Sequence, residues 1–213
     1  MLLAEEREAV VRYGRKLITA QLTTGSGGNL SVCNRERALV AIKPSGVDYF
    51  DLTPEDVVVL DLDGRIVEGR LRPSSESGFH LGLLRSRADI SAVVHTHSVY
   101  ATTLACLGWE LPPVHYLVGY SGDKVPIAPY ATFGTPELAK HIVRAMGSYN
   151  ACLLANHGMV AVANNLATAF AVAEQIELVA RIYYQARSVG EPRILSAAQM
   201  AEVCAKFQSY GQK

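Results

Sequence analysis

At 213 residues, 49% hydrophobic, the chain is long enough for a sizeable core in one domain and short for two. Twenty Lys and Arg balance twenty Asp and Glu, so there is no basic face for nucleic acid, and a charged fraction of only 19% hints at surface buried against copies of the same chain. No apolar run approaches the ~18 residues of a membrane span. Residues 1–8 lack the basic and apolar regions of a secretion signal, so a cytoplasmic protein is expected.

Apolar positions at Leu3, Val10, Tyr13, Leu17 and Ile18 predict an opening helix over residues 3–22. The run Thr23-Thr24-Gly25-Ser26-Gly27-Gly28-Asn29 breaks it. Residues 30–32 and 38–42 read as strands, followed by a turn at Lys43-Pro44-Ser45-Gly46. A strand over 57–62, then Asp63-Gly64 and residues 65–67, reads as a hairpin. Pro73-Ser74-Ser75-Glu76 marks the start of a helix running to about residue 85, with Glu76 in its first turn. A strand through His95, a helix over 100–106 and a strand over 114–118 follow. Thr135-Pro136-Glu137 caps another helix, residues 151–154 and 159–163 are strands, and helices fill 166–187 and 197–207. The four cysteines are far apart and form no Cys-x-x-Cys, which reads as reduced thiols packed as small hydrophobes. With no linker or repeat, residues 1–213 make one α/β domain. Its hairpins imply a mostly antiparallel sheet and disfavour a parallel nucleotide-binding one.

The chemistry concentrates in a few segments. In Ala92-Val93-Val94-His95-Thr96-His97 the two histidines are two apart on a strand, so both imidazoles face one way. Asn156-His157-Gly158 interrupts a second apolar run, where an imidazole is costly unless satisfied. His157 is therefore either bonded to a backbone carbonyl or a third metal ligand. Three imidazoles leave a position open to substrate, the mark of a catalytic zinc. Glu76 is the best candidate for a fourth, exchangeable ligand that can act as a base once displaced, against its plainer reading as a helix-start glutamate. His80, one turn on, reads as a core or supporting residue, and His141 as a surface one. The segments from Gly25 to Asn29, Ser45-Gly46 and Ser74-Ser75 are rich in hydroxyls and glycine, and together could hold a phosphate without arginine.

These segments, in this order, resemble the class II aldolase and epimerase family of zinc enzymes acting on sugar phosphates, over essentially the whole chain. The L-fuculose-1-phosphate aldolase branch is the one most resembled, through Pro113-Val114-His115-Tyr116, the run from Ala128 to Thr135, and the tail from Lys206 to Gly211. The resemblance implies a three-layer α-β-α fold with a central, mostly antiparallel sheet. It implies one Zn2+ per subunit, or another divalent transition metal, on His95, His97 and His157, with Glu76 as resting ligand and proton carrier. Phosphate would be held by Ser26, Gly28, Asn29, Ser45, Gly46, Ser74 and Ser75. Phe133 and Tyr210 would shape the aldehyde end of the pocket. Tyr116 would act from a neighbouring subunit of a homotetramer with interfacial active sites. The implied activity is retro-aldol cleavage of a ketose 1-phosphate of the L-fuculose type to dihydroxyacetone phosphate and a short aldehyde. A 5-deoxyribulose or methylthioribulose 1-phosphate is the alternative substrate, and a pentulose-5-phosphate 4-epimerase a further reading. The small Ser77 and Gly78 after Glu76 depart from the fuculose pattern, a departure that bears on the identity of the aldehyde half of the substrate more than on the metal or the phosphate.

Overall fold

Alternation along the central strands decides the layering of this computed structural model, which describes residues 1–207. In chain order the elements are α1 (Ala4–Thr19), β1 (Asn29–Asn34), β2 (Leu39–Ile42), β3 (Val58–Asp61), β4 (Ile66–Glu68), α2 (Ser77–Ser86) and β5 (Ala92–Thr96). Then come α3 (Val99–Cys106), β6 (Ile127–Ala128), α4 (Pro136–Met146), β7 (Ala151–Leu154), β8 (Gly158–Ala163), α5 (Leu166–Val189) and α6 (Ala197–Phe207). The strands form one sheet in the order β4-β3-β2-β1-β5-β8-β7-β6. All its pairings are antiparallel except that of β6 with β7. On β5, Ala92 and Val94 join a core that includes residues of α1, α3 and α5, while Val93 joins a second core with α2 and α4. The result is three layers, α-β-α, as the resemblance implies. His95 has the parity of Val93, so its ring lies on the α2 side, edge-on to Phe79 at 5.5 Å between centroids.

Local sequence explains the boundaries that matter for the site. Thr135 caps α4 by accepting from the Leu138 N–H, with Pro136 at the first helical position. Asn165 caps α5 in the same way through the Thr168 N–H. Between β7 and β8 a three-residue tip, Ala155 to His157, carries Asn156 at φ 56°, a left-handed turn of the kind that closes such hairpins. Two expectations are corrected. Residues 114–118 are not a strand: Tyr116–Tyr120 is a 3₁₀ turn, opened by His115, whose Nδ1 accepts the Leu117 N–H. Pro112 and Pro113, just upstream, have no N–H to give a ladder. Glu76 is the residue before α2, not a member of its first turn.

Candidate active site

The histidines converge because β5 and β8 are neighbours. His95 lies inside β5 opposite Val160, and His97 just past its end, while the β7–β8 hairpin tip delivers His157 to the same edge. Gly158 is required there: a Cβ would run into the carbonyl oxygen of Thr96 and come within 3.1 Å of the His97 ring. Among the described residues, one ligand atom from each of His95, His97 and His157 lies within 4.8 Å of the others. His95 Nδ1 is 2.9 Å from the carbonyl oxygen of Met159, which can only accept, so that nitrogen carries the proton. Its Nε2, the nitrogen left for a metal, sits 3.0 Å from His97 Nε2. Burial, then the neighbouring His95, lowers His97 and His157 to about 4. Both are neutral at working pH, the form that binds metals.

Glu76 completes the cluster. Its Oε2 is 3.3 Å from His95 Nε2 and its Oε1 3.3 Å from His157 Nε2. Burial alone would raise its carboxyl, but His95 first, then His157 and a hydrogen bond from Asn29, overcome this and hold it well below the usual carboxylate range. Asn29 lies opposite His95 in the β1–β5 ladder and donates through Nδ2 to Oε2 at 2.9 Å. Oε1 is buried with no hydrogen-bond partner. A buried carboxylate oxygen that lacks a hydrogen bond and sits 3.3 Å from the His157 imidazole is costly unless a cation satisfies it. The donor set, three nitrogens and one oxygen, fits a divalent transition ion with a position left for substrate.

The three donor-rich segments meet beside this cluster. Ser45 N–H donates to the Arg72 carbonyl and Ser74 N–H to that of Lys43, both at 3.0 Å, so the loop after β2 is stitched to the segment before α2. Ser74 Oγ accepts the Glu76 N–H at 3.2 Å. Gly28 takes φ 65°, where a Cβ would lie 2.7 Å from the His95 carbonyl oxygen. Tyr49 pins that glycine loop by donating its hydroxyl to the carbonyls of Gly27 and Gly28. Ser26, Ser45, Gly46 and Ser75 are exposed. Sequence reasoning missed Lys43, a 1%-exposed lysine whose ammonium donates to the Pro44 carbonyl at 3.2 Å and the Ser26 carbonyl at 3.4 Å. Burial lowers it to about 8, so most of it is charged at neutral pH. Its position inside a Lys-Pro-Ser-Gly turn was the available signal.

A hollow of about 300 Å3 opens onto the cluster, lined by Glu76, His97, Tyr130, Ala131, Phe133, Asn156 and His157. Phe133 is therefore brought to the site. Tyr116 is not: its half-exposed ring lines a separate apolar hollow with Tyr120, Val203 and Phe207. Tyr210 lies outside the described residues.

An α-β-α domain with three imidazoles and a carboxylate at the strand ends, beside donor-rich loops, is compatible with an enzyme that holds a divalent metal ion and acts on a small polar substrate. The chain belongs to the class II aldolase and adducin N-terminal domain family, which matches residues 8–184. It is similar to the 5-deoxy-D-ribulose 1-phosphate aldolase of Bacillus thuringiensis serovar kurstaki, 54% identical over 213 residues and 100% of both chains. It is 42% identical to the 5-methylthioribulose-1-phosphate/5-deoxyribulose-1-phosphate aldolase of Rhodospirillum rubrum, over 96% of this chain and 92% of that one. The solved structure of an L-fuculose 1-phosphate aldolase superposes with a TM-score of 0.96 at 45% identity, covering 98% of each chain. The protein is an aldolase, a carbon–carbon lyase. No helix among the described residues is long and apolar enough to cross a membrane.

Proposed function

We propose that this chain cleaves a ketose 1-phosphate between C3 and C4, releasing dihydroxyacetone phosphate and a short aldehyde. The observation that carries the reading is the convergence of His95, His97, His157 and the unpartnered Oε1 of Glu76. Those four residues would hold a zinc ion, which when bound supplies Lewis acidity toward the substrate's C2 and C3 oxygens. The phosphate is assigned to Ser26, Gly28, Asn29, Ser45, Gly46, Ser74 and Ser75, and the buried Lys43 charge beneath their loops supports that assignment.

In the cleavage direction the C4 hydroxyl gives up its proton and its C–O bond becomes the aldehyde carbonyl. The C3–C4 bond breaks, and its electron pair stays on C3, delocalised toward the C2 oxygen. The C4 proton leaves to solvent, and Glu76, a carboxylate at rest, takes up an equivalent proton from solvent once displaced and delivers it to C3. Tyr116, exposed and away from its own chain's histidines, acts on the C4 oxygen from a neighbouring subunit of a cytoplasmic homotetramer. Phe133, with Tyr210, shapes the aldehyde end.

The full-length likeness to a 5-deoxy-D-ribulose 1-phosphate aldolase favours that ketose, with acetaldehyde as product. L-Fuculose 1-phosphate, giving L-lactaldehyde, is the second reading, favoured by the superposed structure. Initial rates of the zinc-loaded protein on both ketoses test this. Dihydroxyacetone phosphate should form from both, with the larger kcat/KM on the 5-deoxy sugar. None from either overturns the aldol reading, and interconversion of pentulose 5-phosphates without free aldehyde would replace it with epimerisation.

A further inference from the structure

Behind Glu76 runs a buried chain of polar groups that touches neither the hollow nor the three histidine ligand atoms. Ser31 Oγ is 2.8 Å from His80 Nδ1, and His80 Nε2 is 2.5 Å from Asn29 Oδ1. Asn29 Nδ2 in turn meets Glu76 Oε2 at 2.9 Å. Ser31 and His80 are fully buried, and Asn29 is 4% exposed. Two periodicities bring them together. Asn29 and Ser31 are two apart on β1 and share its α2-side face, while His80 follows Glu76 by one helical turn.

The direction of every bond in this chain is determined. An ionised carboxylate only accepts, so Asn29 must turn its NH2 toward Glu76. Its carbonyl oxygen then faces His80, whose Nε2 must carry the proton. Nδ1 is left bare, and the Ser31 hydroxyl donates to it. We infer that His80 is a positioning residue: it fixes the Asn29 amide, which anchors Oε2 of Glu76 and leaves Oε1 for the metal site and for proton transfer. Burial, then the neighbouring His95, lowers His80 to about 3, so the ring stays neutral and its tautomer constant through the working pH range. His80 acts as a fixed strut and not as a proton carrier. With the amide reversed, an oxygen would face the carboxylate, and the anchor would become a repulsion.

This inference rests on the aldolase reading for its kinetic consequence and on geometry for the rest. Its test uses the full-length protein loaded with zinc for kinetics and with Co2+ for its visible spectrum. His80→Leu should keep one metal per chain, because the three imidazoles are untouched. Its kcat should fall about 10–100-fold, the usual loss when a partner that orients a metal ligand is removed. KM should change less than kcat, since Asn29 keeps its place in the β1–β5 ladder and the other phosphate donors are untouched. The cobalt bands should shift as Glu76 loses its anchor. His80→Gln can still donate to Asn29, and should recover most of kcat and the wild-type spectrum. Equal losses in the Leu and Gln variants, or an unchanged spectrum and kcat in a folded, metal-loaded His80→Leu, would overturn the inference. If His80→Leu does not fold, Ser31→Ala decides. It removes only the terminal donor and should lower kcat by about 10-fold at most with a smaller spectral shift, whereas wild-type values overturn the inference. Should the wild-type protein cleave no ketose 1-phosphate, the aldolase reading fails, and the cobalt spectra still decide the role of His80.

Discussion

Glu76 and the three histidines hold different atoms and so answer to different substitutions. Replacing His95, His97 or His157 with Ala removes one of three nitrogens and should lower zinc affinity by more than the roughly 100-fold seen for supporting residues. Activity should fall with it, and elemental analysis after dialysis reads the loss directly. Glu76→Gln keeps the imidazoles and the shape of the side chain. It should retain most of the metal while turnover falls about 10²–10⁴-fold, the range for a lost acid–base group. Wild-type zinc in all three histidine variants would contradict the metal assignment. The histidines were legible in the sequence because strand periodicity puts His95 and His97 on one face and because His157 interrupts an apolar run. The Asn29–Glu76 bond was not, since the two are 47 residues apart and each has an ordinary local role in a turn or at a helix start.

At the scale of elements, the site depends on how closely β8 approaches β5. Gly158→Ala places a methyl against the Thr96 carbonyl. The strands must separate or the hairpin tip must tilt, at a cost of about 1–3 kcal/mol. Its urea midpoint should drop accordingly, and zinc should bind more weakly because His157 moves with the tip. An unchanged midpoint with full metal content would show that the tip adjusts without disturbing the ligand. Most elements were readable from apolar periodicity and caps, as at Thr135-Pro136. Residues 114–118 misled because Val114, Leu117 and Val118 mimic a strand while the two prolines before them, and His115 bonding its own turn, select a 3₁₀ conformation. The two-residue β6 is held by its parallel pairing to β7, a long-range contact with no local signature.

For the whole molecule, the composite site is the consequential proposal. Val99, Tyr116, Tyr130 and Phe133 are all exposed apolar side chains, and Tyr116 faces a different hollow from the one beside Glu76. If Tyr116 serves a neighbour's metal centre, Tyr116→Phe and His95→Ala damage different halves of one site. Hybrids assembled from the two variants should regain a fraction of wild-type turnover, because some interfaces pair an intact metal centre with an intact tyrosine. Mixed oligomers that remain inactive, or a monomer by light scattering, would reject the interfacial role and leave the metal chemistry standing.

The central claim is that one metal ion, held by His95, His97, His157 and Glu76, is required for carbon–carbon cleavage. Protein stripped with chelator and titrated with zinc tests this most directly, reading dihydroxyacetone phosphate release at each addition. Turnover should be near zero in the stripped protein, rise linearly, and break at one equivalent per chain. Stripped protein that is free of metal by elemental analysis yet cleaves at the full rate would contradict the account.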